Sequence, residues 1–99
     1  MLFSWFEAKA AKAFGTTMAQ FFIERMPLSA GITEKQFASK AKFVLEKMNT
    51  QVANFKQQNK LNTYKTAQMG NTFKWILKDA GYDDVYVDQL TTWFVAKFQ

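Results

Sequence analysis

The sequence predicts an all-α protein, a compact and irregular antiparallel bundle of about four helices. Three observations lead there. Apolar residues recur at three- and four-residue steps through most of the chain, which gathers them on one face of a helix instead of alternating them across a strand. Helix-start signatures of the form Ser/Thr-x-x-Glu/Gln precede two of these runs. A single Pro and four Gly leave too few turn formers for the closely spaced strands of a sandwich or barrel. With 99 residues, 48% of them hydrophobic, the chain has the size and apolar content for one core. No repeat, low-complexity tract or linker divides it, so residues 1–99 read as a single helical domain.

The first helix is expected over residues 5–26. Ser4-Trp5-Phe6-Glu7 has the capping-box form, in which the Ser hydroxyl accepts a backbone N–H and the Glu reaches back. Phe6, Ala10, Phe14, Met18, Phe21, Phe22 and Arg25 then follow at helical steps, and Pro27 ends the run because it lacks a backbone donor. Residues 28–32 carry breakers without periodicity and read as a loop.

Thr33-Glu34-Lys35-Gln36 is the second capping box and opens a helix over 34–59. Its stripe of Phe37, Ala41, Val44, Met48, Val52 and Phe55 is the clearest in the protein. Asn59-Lys60-Leu61-Asn62-Thr63 breaks it, with Asn62 or Thr63 capping a third helix over 64–80. Thr66, Met69, Gly70, Phe73, Ile76, Leu77 and Ala80 form its inward face, and Gly81 is placed for a left-handed stop. Asp83 or Asp84 caps the fourth helix, 84–98, at the positive end of its dipole. Val87, Leu90, Phe94 and Phe98 mark its buried face, widened by Tyr86 and Trp93.

Composition narrows the chemistry. The chain has no Cys and no His, which removes thiolate nucleophiles, disulfides, cysteine-ligated metals and the commonest general base near neutral pH. No metal site is expected, because the eight acidic residues show no calcium-loop spacing. Asp83, Asp84 and Asp88 cluster at a helix start, where capping and the dipole account for them without paired-carboxylate chemistry. Phosphate loops, nucleophile elbows and dinucleotide fingerprints are absent. The expectation is therefore a non-enzymatic protein with no catalytic residue and no cofactor. No apolar run reaches the 18 or so residues that span a bilayer, and the opening MLFSWFEAKAAKAF lacks the form of a secretory signal. A cytoplasmic location is expected by default.

Charge and aromatic placement supply the candidate surfaces. Thirteen Lys and Arg against eight Asp and Glu give a net +5. The excess is polarised: nine lysines and one acid, Glu46, fall between Lys35 and Lys78, whereas residues 79–99 hold four Asp and one Lys. Lys35, Lys42, Lys56 and Lys60 project to one flank of the second helix's stripe, and Lys40 and Lys47 to the other. The first row suits nonspecific binding of nucleic acid or an anionic membrane surface, although a solvated, solubilising lysine face is the preferred reading. Sequence-specific DNA recognition is opposed by the single Arg and by the Asp-rich start of the helix that would enter the major groove.

Several aromatics fall outside the apolar faces. If Phe73 points inward, Tyr64 and Trp75 point roughly opposite, beside Lys78, and Phe43 lies off the second helix's stripe. Such side chains are efficient interface anchors. The leading expectation is accordingly a helical interaction protein, an adaptor or accessory subunit, contacting a protein partner or a second copy of itself through Tyr64, Trp75, Lys78 and Phe43. A further option rests on Leu2, Phe3 and Trp5, an apolar cluster suited to insertion into lipid or a partner's groove, or to closing the protein's own core.

Overall fold

Four helices follow one another along the chain: α1 (Leu2–Arg25), α2 (Glu34–Gln58), α3 (Thr63–Asp79) and α4 (Asp84–Ala96). The computed structural model describes residues 2–28 and 31–99, with side chains described from Ala8 onward in α1. No strand occurs among the described residues, and the all-α bundle is as the periodicity predicts.

The helix ends follow local chemistry. Thr33 and Gln36 form the reciprocal capping box at α2. Asn62 caps α3 by accepting from the Lys65 N–H, and Asp83 caps α4 by accepting from that of Tyr86. At the other end of α3, Gly81 takes φ 98°, its N–H bonds to the Lys78 carbonyl, and the Tyr82 N–H bonds to that of Leu77. This paired closure requires a left-handed residue after the last helical turn, which glycine adopts without strain.

Several boundaries and faces differ from expectation: α3 starts and ends one residue earlier than 64–80, and α4 ends at Ala96, two residues short of 98. Helix α1 begins at Leu2, so Ser4 and Glu7 both lie within it; nothing in Leu2-Phe3 opposes one more helical turn upstream of the capping sequence. Helix α2 ends at Gln58, where Asn59 turns extended (φ −137°, ψ 128°) and its side-chain amide donates to the Phe55 carbonyl. Lys60 is therefore past the helix and does not continue its lysine row. Ala10 and Ala80 are exposed, not inward.

The reason for the Ala10 difference is the seam between α1 and α3. The buried face of α1 carries Ala8, Ala11, Gly15, Met18, Ala19 and Phe22, and Met26, just past its end, is buried with them. A Cβ placed on Gly15 would lie 2.5 Å from the Met69 carbonyl oxygen, so the two backbones touch there. Small residues at helical spacing permit that approach, and they turn Ala10 out to solvent while Phe14 stays packed against the core. Helix α4 closes on the other side of α3, with Val95 against Gly70.

Helix α2 is held differently. No Cα of α2 comes within 8 Å of one in α4 among the described residues, and aromatic side chains fill the gap. Phe55 stacks on Phe14 at 4.2 Å between centroids and meets Phe98 edge-on at 6.4 Å. Phe37 meets Tyr86 edge-on at 5.5 Å nearer the opposite end. Between these contacts Ala41, Val44, Met48 and Val52 are buried. Phe94 links this cluster to α3 by stacking on Phe73 at 4.4 Å.

Candidate functional site

Once Phe73 is fixed in the core, the 100° step of α3 sends Trp75 outward, and Tyr64 falls on the same outer line. Trp75 is 51% exposed and Tyr64 44%. Eleven residues separate them, about three turns, which sets them roughly 16 Å apart along the helix. They share a face but do not touch. Lys74 and Lys78 flank the Trp75 ring with their ammonium groups 5.4 and 5.6 Å from it, within range of cation–π attraction.

Lys78 lies beside Trp75 as its sequence position suggests, but it also has an ionic partner. Its ammonium lies 3.0 Å from an Asp88 carboxylate oxygen, and its side chain is largely covered. It bridges α3 to α4 within the molecule, so of the two lysines beside Trp75, Lys74 is the one without an ion pair described. The pairing depends on how α4 folds back after Gly81, which no spacing within α3 reveals.

Phe43 occupies a second surface, on another helix. It is 66% exposed, the most exposed aromatic among the described side chains. It lines a shallow groove of about 380 Å³ between α2 and the end of α1, with Val44 and Pro27 as apolar floor. Lys40, Lys47 and Arg25 rim it against one acid, Glu24. The Arg25 guanidinium sits 3.6 Å over the Phe21 ring and 3.7 Å from Glu24. Arg25 reads in sequence as the last member of the inward row of α1; the structure half-buries its stem and leaves its head at the groove. The signal that could have located this site is the seven-residue spacing of Lys40 and Lys47, which keeps both on the flank that also carries Phe43.

The lysine row expected to bind polyanions is only partly assembled. Lys35, Lys42 and Lys56 are exposed on α2, but the Lys56 ammonium donates to the Lys97 carbonyl at 2.8 Å, tying α2 to the end of α4. Lys60 lies in the connection, where its carbonyl accepts from the Lys65 ammonium. Lys35 and Lys42 remain as a pair on a continuous flank. The side chains of Leu2, Phe3 and Trp5 lie outside the described residues.

Other surfaces offer little chemistry. A cleft of about 410 Å³ between the start of α3 and the end of α4 is lined by Leu61, Thr66, Val95, Phe98 and neighbouring amides and hydroxyls, without an ionisable side chain. A neighbouring groove contains Lys74 and Asn71, and Thr91 at its edge has a buried hydroxyl oxygen with no hydrogen-bond partner. Burial pushes the Tyr82 phenol above its usual range; Tyr86 is raised likewise, by burial first and then by the Tyr82 charge. The Tyr82 hydroxyl donates to the Met26 carbonyl, satisfying an acceptor at the end of α1. No group of three or more metal-ligating side chains occurs among the described residues, and no described helix is long and apolar enough to cross a membrane.

Fold and surface together define a four-helix bundle that presents aromatic side chains among lysines on two separate faces. No protein-family model matches this chain, and no curated protein or solved structure matches it.

Proposed function

We propose that this protein is a non-enzymatic helical interaction module, an adaptor or accessory subunit, that binds a protein partner through aromatic side chains held outside its core. The observation that carries this reading is the exposure of Phe43 and Trp75, each with cationic neighbours, in a bundle whose interior rings already fill the core. Large aromatics concentrate binding energy because they bury much area at small conformational cost. The lack of His and Cys supports a role without acid–base or thiol chemistry. A cytoplasmic setting is part of this reading by default.

The experiment is affinity purification from the source cells with the wild type, Phe43→Ala and Trp75→Ala, each first checked for an unchanged unfolding midpoint. The reading predicts a protein retained by the wild type at about 0.5 M salt, where exposed charge pairs are largely screened, and lost from at least one variant. Identical retention by all three overturns it. A second reading, nonspecific polyanion binding, rests on the exposed Lys35 and Lys42 pair. It predicts capture of nucleic acid or anionic vesicles that falls steeply with salt and is lost in Lys35→Glu/Lys42→Glu.

A further inference from the structure

The surface that carries Phe43 has a complement on the same molecule. At the α3–α4 corner, Leu28 rests against Gly81, its Cδ1 3.4 Å from where a Cβ on that glycine would lie, and is 56% exposed. Val85, in the first turn of α4, is 64% exposed. Asp79 ends α3 two residues before Gly81, Asp84 opens α4 directly before Val85, and both are exposed. The Phe43 groove has a net opposite sign: an apolar centre of Phe43, Val44 and Pro27 with Lys40 and Lys47 at its edge, beside Arg25, which is paired with Glu24.

Both patches thus have an exposed apolar centre and a charged rim, and the rims are opposite. They also adjoin. Pro27 lines the groove and Leu28, the next residue, belongs to the corner, so one continuous surface at this end of the bundle carries both signs. A surface divided in that way is self-complementary about a two-fold axis, since each half meets its opposite in the partner and the contact closes after two copies.

We infer that the partner of the Phe43 groove is a second copy of this chain, in a symmetric dimer where the groove of each protomer receives the Leu28–Val85 acidic corner of the other. The inference rests on the interaction-module reading and specifies the occupant of one of its two surfaces. Trp75 lies outside the contact and stays open to a different protein.

The test is solution mass by sedimentation equilibrium on the full chain, across a concentration series, for the wild type and two charge reversals. Asp83 is left untouched because it caps α4. The wild type should approach twice the 11.5 kDa chain mass. Lys40→Glu/Lys47→Glu and Asp79→Lys/Asp84→Lys should each remain at the monomer mass, with unfolding midpoints close to that of the wild type. Mixed in equal amounts, the two variants should recover the dimer mass, because both contacts then pair opposite rims again. A wild type that stays monomeric at about 1 mM, where even weak specific pairs assemble, overturns the inference. So does a dimer that survives both reversals, one that mixing fails to restore, or assembly that continues past two copies. A monomeric wild type that still loses its cellular partner on Trp75→Ala would refute the dimer and leave the interaction-module reading standing.

Discussion

Two sets of aromatic side chains in this protein have opposite fates. Phe14, Phe55, Phe73, Phe94 and Phe98 meet one another ring to ring and join α1, α2, α3 and α4 into one core. Phe43, Tyr64 and Trp75 leave the core, and the Trp75 ring has lysine ammonium groups for company. Residue type does not separate the sets; helical phase does. Phe73 and Trp75 are two positions apart, a rotation of about 200°, so once one is buried the other is exposed. The outer set stays outside the ring-to-ring core, which supports the proposal that it serves binding.

Substitutions can break that division or sharpen it. The largest loss is expected for Phe94→Ala, because the ring is fully buried and contacts Phe14, Phe73 and Phe98. Urea unfolding should show a destabilisation of about 3–5 kcal/mol, the range for deleting a buried aromatic ring. Gly15→Ala comes next. Its methyl group would meet the Met69 carbonyl oxygen at 2.5 Å, which prises α1 from α3 and disturbs the Phe14 end of the inner cluster. A net loss of about 1–3 kcal/mol is expected from this overpacking, even though alanine favours helix over glycine by about 1 kcal/mol.

Tyr82→Phe should cost about 1 kcal/mol, the net value of one hydrogen bond, by orphaning the Met26 carbonyl. The same tyrosine makes a prediction in pH. Burial holds the Tyr82 and Tyr86 phenols protonated to higher pH than in the unfolded chain, where they ionise near 10. Their contribution is complete below pH 10 and falls as pH rises toward the raised folded values, because the unfolded state releases its protons first. The urea midpoint should therefore decline above about pH 10, and less steeply in Tyr82→Phe.

The sequence made the helices and their ends legible because caps and stops act locally. Thr33 with Gln36, and Gly81, work through bonds to residues a few positions away, and Pro27 through the backbone donor it lacks. The outward direction of Tyr64, Trp75 and Phe43 was legible for the same reason, as phase is a property of one helix. What was not legible depends on two elements meeting. Ala8, Ala11 and Ala19 have no strong inside or outside preference, and only the contact of Gly15 with the α3 backbone selects their face over that of Ala10. The pairing of Lys78 with Asp88 waits on the chain reversal at Gly81, and the bond from Lys56 to Lys97 joins the ends of two helices far apart in sequence. Lys78 and Lys56, two of the candidate lysines, are thus drawn into holding the fold, while Lys40 and Lys47 frame the groove that contains Phe43.

The division between inner and outer aromatics is tested most directly by the unfolding free energy of the double variant Phe43→Ala/Trp75→Ala, measured beside Phe94→Ala under the same conditions. The double variant should lie within about 1 kcal/mol of the wild type, as substitutions at surface sites without structural partners do, while the single core variant loses several times more. A double variant as unstable as Phe94→Ala would show that Phe43 and Trp75 belong to the fold, and the case for a binding surface built on them would fail.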